Sequence, residues 1–182
     1  MTVTAEPWSS SAPDAAGRKL VQLPTPAIDA LSNGDLESAR NLSAYPLPPY
    51  LIGPDCSDVW KMRSEQIKVD PRDALWVTRL VIDSEGVVVG RAGFHGQPDR
   101  EGVVEVGYAI DPLHRRQGHA RAAFGILLDV ARKDPQVKVV RASVSPDNVA
   151  SRKVVDHHGL REVGDRWDED DGFVHTLEVS VS

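Results

Sequence analysis

The chain carries a single cysteine, Cys56, among 182 residues. One thiol closes no internal disulfide and offers no cysteine cluster to a metal, so a reducing, cytoplasmic setting is the expectation. Long apolar runs are missing too: nothing approaches the roughly 18 residues that cross a bilayer, and no membrane partner is expected. The opening stretch, MTVTAEPWSSSAPDAAGRK, has neither a basic start nor an apolar centre, and so does not read as a secretory leader. Aromatics are sparse, and Trp8, Trp60, Trp76 and Trp167 are too scattered to build a base-stacking platform. There is no excess of positive charge: 21 Lys and Arg against 27 Asp and Glu give a formal net charge of −6, which speaks against nucleic acid as the partner. His114, His119 and His175 stand at no metal-ligand spacing from a carboxylate or cysteine, so no metal is expected.

What is present suits one domain with a sizeable core, given the length and a hydrophobic fraction of 41%. Residues 1–17, rich in Ser, Ala and Pro without apolar periodicity, read as a flexible tail, and 18–182 as the domain. Lys19 to Leu23 fits a first strand. Ile28, Leu31, Leu36, Ala39 and Leu42 recur at near-helical spacing, broken by Asn33-Gly34, with Asp35 placed to cap a second piece. The Pro-rich connector Tyr45 to Tyr50 cannot be regular helix, and a helix fits Ser57 to Val69. Ala74 to Ile82 and Val87 to Phe94 read as a hairpin, with Val103 to Ile110 as the third strand of a meander. Val137 to Val144 is a strand and Asn148 to His158 a helix closed by Gly159. Arg161 to Trp167 and Phe173 to Val181 form a last hairpin around the acidic turn Asp168 to Asp171.

One stretch organises the rest: EVGYAIDPLHRRQGHARAAFGILLDVAR, from Glu105 to Arg132. It reads as strand, short basic loop, amphipathic helix. Gly118 and Ala120 leave backbone N–H groups unobstructed where the helix begins, and the helix dipole points the same way. Arg115, Arg116 and Arg121 surround them with positive charge. A loop of this make-up is suited to phosphate, although it matches neither the Gly-x-x-x-x-Gly-Lys-Ser/Thr loop nor the three-glycine dinucleotide pattern.

Arg115-Arg116-Gln117-Gly118-His119-Ala120 resembles the Arg/Gln-x-x-Gly-x-Gly/Ala signature of the GCN5-related N-acetyltransferases, the GNAT superfamily. Downstream, Asn148-Val149-Ala150-Ser151 through Gly159-Leu160 resembles the segment that closes the cofactor site in that superfamily, with Leu160 in place of the usual Phe. Phe94-His95-Gly96, Glu105-Val106-Gly107-Tyr108 and Trp167-Asp168-Glu169 are similar to the RimJ/RimL-type branch. The resemblance covers Lys19 to Val181. It implies an α/β (α+β) GNAT fold, a mixed, mostly antiparallel, V-splayed sheet flanked by helices. It also implies transfer of the acetyl group of acetyl-CoA, without a metal, to a primary amine (a small molecule or a protein N-terminus) by direct attack in a ternary complex.

The resemblance further implies that the CoA diphosphate lies on the backbone of Arg116, Gln117, Gly118, His119, Ala120 and Arg121, with Arg115 beside it. The pantetheine arm would pair with Tyr108, Ala109 and Ile110, and a free N–H on a bulged strand would face the acetyl oxygen. Asn148 and Ser151 belong to the same cofactor site, and Asn148 is also a plausible N-cap. Glu105 shares a strand face with Gly107, Ala109 and Asp111, and a glutamate here often serves the acceptor amine in the RimJ/RimL pattern. It is the first candidate for general base; a salt-bridged strand residue is the competing reading. His95 is the second candidate, its imidazole having a suitable intrinsic pKa, against a turn histidine with no catalytic task.

This chain has Val155 where many GNAT enzymes carry a tyrosine acid, so Ser151 is the candidate donor near the thiol. His157 and His158 diverge by about 100° on a helix, so at most one could face the cleft. The missing tyrosine leaves open a non-catalytic acyl-CoA-binding or sensor module, and the loop alone would suit another phosphate ligand. The final hairpin is an obvious contributor to a homodimer.

Overall fold

Alternation and β-branching build the sheet. In the computed structural model, which describes residues 3–169 and 171–182, the strands are β1 (Lys19–Val21), β2 (Arg79–Ile82), β3 (Val88–Phe94), β4 (Val103–Ile110), β5 (Val139–Val144), β6 (Arg161–Asp168) and β7 (Gly172–Ser180). They form one sheet in the order β1-β2-β3-β4-β5-β7-β6. Every pairing is antiparallel except β4 with β5, which is parallel and bridged by the helix between them. Helices α1 (Thr25–Ser32), α2 (Leu36–Leu42) and α3 (Ser57–Val69) precede the meander, and α4 (His119–Lys133) and α5 (Val149–His157) follow it. The helix breaks fall where local chemistry dictates: Asp35 caps α2 by accepting from the Ser38 N–H at 3.0 Å, and Asn148 caps α5 through the Ser151 N–H at 3.0 Å.

Two apolar clusters hold the layers together. Ile28, Leu31, Leu51, Trp60, Leu80 and Ile82 pack between α1–α3 and the first strands. Val104, Val106, Phe124, Leu127, Val140 and Leu177 pack around α4. The central strands β2 and β3 are therefore apolar almost throughout, whereas β6, at the open edge, is exposed along most of its length.

Two expectations are corrected. Ala74 and Leu75 belong to a 3₁₀ turn, Pro71–Leu75, rather than to the second strand: Pro71 starts the turn and Asp70 accepts from the Arg72 N–H at 3.0 Å. The tail expected over 1–17 is docked wherever it is described, from Val3 to Gly17, while Met1 and Thr2 lie outside the described residues. Val3, Trp8 and Ala15 are each buried singly, so no periodicity announced them. Trp8 pairs with Leu20 through bonds of 2.9 and 2.8 Å. Fully buried Arg79 stacks on the Trp8 ring at 3.5 Å and donates to the carbonyls of Thr4 at 2.7 Å and Glu6 at 2.8 Å. Burial lowers the Arg79 pKa to about 9, which still leaves it charged at neutral pH.

Arg79→Met is expected to lower stability by about 3 kcal/mol, since charge-assisted bonds in a desolvated site are lost together. Limited proteolysis should then cut between Val3 and Gly17 before the remainder of the chain. Unchanged protection of that segment would show that Arg79 is not its anchor.

Candidate active site

The sheet opens at one place. Parallel pairing of β4 with β5 runs through Val103↔Val139, Val104↔Val140 and Glu105↔Arg141, and stops there although β4 continues to Ile110 and β5 to Val144. From Val106 to Ile110 the edge of β4 that faces β5 has no strand partner, while its other edge stays in regular register with β3. The free edge implied for Tyr108, Ala109 and Ile110 is therefore present. The bulge is not, because Gly90 to Phe94 pair without a shift against Ile110 to Val106.

Beyond Ile110 the chain turns sharply. Asp111 accepts from the Leu113 N–H at 3.0 Å, and Arg115 Nε donates back to the Ile110 carbonyl at 3.0 Å. Arg116 (φ 59) and Gly118 (φ 81) both adopt the left-handed region, which curls the N–H groups that follow into a concave nest. Among the described residues, the N–H groups of Arg116 to Arg121 donate to no protein acceptor; the first helical bond belongs to Ala122, which donates to Gly118. A Cβ added at Gly118 would meet nothing within 4 Å, so the space over the nest is open. Unspent donors, open space and exposed Arg116 and Arg121 fit a diphosphate. His119 contributes its backbone alone: its imidazole is turned inward, 4% exposed, with neither ring nitrogen hydrogen-bonded. Burial, then the charge of Arg18, lowers its pKa.

The vertex of the opening is Glu105, whose side chain is 15% exposed. Ser143 Oγ donates to its Oε1 at 2.6 Å and Arg166 Nη2 to the same oxygen at 2.8 Å. Both bonds fall on Oε1, so Oε2 makes none to a described residue. Arg166 also reaches Asp168 at 3.4 Å, bringing the acidic turn to this face; Asp170 of that turn lies outside the described residues.

His95 stands beside Glu105. Gly107 makes this geometry available, since a Cβ there would lie 2.8 Å from His95 Nε2. The His95 carbonyl is clamped from α3 by Arg63 Nη1 at 3.2 Å and Gln66 Nε2 at 2.8 Å. The residue is exposed overall, yet the protein around its imidazole takes away part of its water. That loss of surrounding water, then the Arg63 charge, lowers its pKa below the ordinary histidine value, with Glu105 pulling the other way. His95 is neutral at pH 7. The same face continues into a shallow depression of about 240 Å³ edged by Arg141, Arg166, Thr176 and Glu178, and Arg141 is fixed to Glu178 at 2.6 Å.

The structure thus brings Glu105 and His95 together on one side of the opening. Asn148 and Ser151 stand on the other, and Arg115 to Arg121 at its end. It keeps His157 and His158 away from Glu105: His157 pairs with Asp14 at 2.7 Å, and His158, with Nε2 2.9 Å from the Arg121 carbonyl, stacks on Phe124 with ring centroids 5.0 Å apart. Sequence reasoning missed Ser143 and Arg166, which reach Glu105 only through strand pairing. It also missed that His175 has carboxylate neighbours. Among the described residues, Glu162, Asp165 and His175 have potential ligand atoms within 4.8 Å of one another, because Asp165 and His175 face each other across β6 and β7. That exposed group lies on the hairpin, and its His175–Asp165 ion pair at 2.7 Å is an ordinary use of such residues. No helix among the described residues is long and apolar enough to cross a membrane.

Comparison with known proteins bears on this geometry. A family model described as "Acetyltransferase (GNAT) domain" matches residues 29–161. An uncharacterized N-acetyltransferase of Bacillus subtilis, YjdG, is 35% identical over 73 residues, which span 40% of this chain and 44% of that protein. RimJ of Mycobacterium smegmatis, solved in complex with CoA-disulfide, is similar in structure with a TM-score of 0.64 at 19% identity, covering 96% of this chain and 86% of that one. The ribosomal-protein-S5-alanine acetyltransferase of Vibrio fischeri gives 0.63 at 16% identity, over 91% and 94%. A Vibrio cholerae spermidine N-acetyltransferase, SpeG, gives 0.64 at 17%, over 92% and 95%. At these identities the structural likeness establishes the fold.

Proposed function

Since the chain belongs to the GNAT acetyltransferase family, we propose that it is an N-acetyltransferase that uses acetyl-CoA as co-substrate and a primary amine as acceptor. The observation that carries this reading is one continuous path. It starts at the unspent N–H groups of Arg116 to Arg121, follows the unpaired edge of β4 and ends at the free Oε2 of Glu105. When bound, acetyl-CoA supplies an activated thioester. The nest holds its diphosphate, and the free edge of β4 aligns its arm. Glu105 Oε2 takes the amine proton directly or through water, while Ser143 and Arg166 hold the carboxylate still. Ser151 and Asn148, at the start of α5, belong to the same cofactor site.

Transfer is direct. Cys56 is fully buried at the start of α3, and burial raises its thiol pKa, the opposite of what an acetyl-carrying nucleophile needs. The acceptor is a small-molecule amine or a protein N-terminus; the solved relatives are named for spermidine and for an alanine of a ribosomal protein. A homodimer through the β6–β7 hairpin, where Val163, Trp167 and Phe173 are exposed, belongs to the same reading.

Calorimetry with CoA, ATP and NAD tests the cofactor, with CoA alone expected to bind. A library of amines and peptides, followed by free-thiol release, tests the acceptor. With the acceptor found, intersecting double-reciprocal lines are expected; parallel lines and a trapped acetyl-cysteine would overturn direct transfer.

A further inference from the structure

Between Asp111 and His119 no residue is buried, so the loop that ends in the nest has no apolar anchor of its own. Arg115, Arg116, Gln117 and Gly118 are all exposed. Yet Arg116 holds φ 59, a conformation that a non-glycine residue keeps only when its surroundings impose it. Two arginine side chains supply that constraint. Arg115 Nε fixes the start of the loop through the Ile110 carbonyl at 3.0 Å. Arg18 fixes its middle: Nη2 donates to the Gln117 carbonyl at 3.1 Å, across 99 residues of sequence.

Arg18 is itself held in place. Its Nη1 donates to the Ala16 carbonyl at 3.1 Å and its backbone N–H to the Ala15 carbonyl at 3.0 Å. Gly17, at φ 73, brings the chain close to the β2–β3 turn, where an added Cβ would lie 2.9 Å from Ser84 Cβ. Lys19 then enters β1 opposite Ile82. Upstream, Ser10 bonds Asp129 of α4, and Asp14 pairs with His157 of α5 at 2.7 Å. The N-terminal segment thus crosses both helices that border the cofactor site and delivers one guanidinium to the loop.

The Gln117 carbonyl and the Gly118 N–H belong to one trans peptide, in which they point in opposite directions. A donor that holds the carbonyl from the side of the N-terminal segment therefore aims the Gly118 N–H away from it, among the unspent donors of Arg116 to Arg121. We propose that Arg18 is a positioning residue for the cofactor: by gripping the Gln117 carbonyl it keeps the nest in its diphosphate-binding shape before any ligand arrives. The inference rests on the acetyl-CoA reading above. It makes the N-terminal segment part of the cofactor site, although that segment contributes no group aimed at the phosphates.

Arg18→Met keeps the apolar stem and removes the donors, while Trp8, Ser10 and Asp14 still hold the segment. Protease resistance from Val3 to Gly17 should therefore match the wild type. Calorimetry should show CoA bound about tenfold more weakly, the effect of losing one charge-assisted hydrogen bond. Pantetheine, which has no phosphate, should bind both proteins alike. The factor between the two proteins for CoA should persist from low salt to about 1 M, where exposed charges are screened beyond about 3 Å. In the amide NMR spectrum of the ligand-free variant, the Gly118 signal should shift or broaden, and that of Leu127, buried in the middle of α4, should not.

Wild-type CoA affinity in the variant, or an unmoved Gly118 signal, would each overturn the proposal. So would an equal loss for pantetheine, or a loss that disappears at high salt, which would make Arg18 a charge acting on the phosphates. New cleavage between Val3 and Gly17 together with the weaker binding would make the whole segment the support, and overturn the role of the Gln117 bond. A wild type that binds no CoA would overturn the acetyl-CoA reading, and this inference with it.

Discussion

Gly118→Asp is expected to abolish CoA binding, weakening it about a thousandfold, while the protein stays folded. The two halves of that expectation have separate causes. Gly118 sits at φ 81, a conformation in which aspartate is among the better tolerated side chains, so the backbone penalty is about 1 kcal/mol. No heavy atom lies within 4 Å of the added Cβ, so nothing inside the protein has to move. The new carboxylate would instead stand over the N–H groups of Arg116 to Arg121, which have no internal partner, and accept from them in place of phosphate. It would also add a negative charge near the diphosphate. One unit charge about 4 Å away, at an effective dielectric of about 20, costs about 4 kcal/mol. Gly118→Ala carries the backbone penalty without the charge and should retain affinity within about tenfold. Calorimetry with CoA distinguishes the two; a Gly118→Asp protein that binds normally would place the diphosphate elsewhere.

The shape of the Arg115–Arg121 loop was largely legible in the sequence because everything it needs is contiguous. The small residues, the helix start and its arginines lie between Arg115 and Arg121, and local sequence states such features directly; the left-handed turn at Arg116 it did not state. The meander, α3, α4 and the last hairpin were legible for the same reason, their periodicities being local. The site at Glu105 was legible only in part. Strand parity gave the face on which the carboxylate stands, but Ser143 is 38 residues away and Arg166 is 61, and the register that delivers them is a property of the assembled sheet. His175 was set aside as a ligand for want of spacing, yet antiparallel pairing brings Asp165 opposite it. The N-terminal segment misled for another reason. Three isolated apolar residues and a buried arginine 73 and 75 residues from the carbonyls it holds keep it down, and composition averages over such anchors.

Glu105→Gln is expected to lower kcat about 10²- to 10⁴-fold, the usual range for a positioned base, and to leave CoA affinity unchanged. Glutamine is close to isosteric with glutamate, and its one amide oxygen can still accept from Ser143 and Arg166 as Oε1 does now. Its other terminus is an NH₂ group, which donates and cannot receive the amine proton at the position of Oε2. The substitution therefore keeps the scaffold while removing the acceptor. His95→Gln serves as the counterpart. His95 is neutral at pH 7 and could in principle take the same proton, but a pKa below the ordinary histidine value makes it the weaker base for an ammonium acceptor. Its carbonyl, held by Arg63 and Gln66, is unaffected by the change. A loss of no more than about tenfold is expected there, with the acid limb of the pH–rate profile still present. If His95→Gln instead removed that limb and cost most of kcat while Glu105→Gln did not, the imidazole would be the base, and the Glu105–Arg166 pair its support.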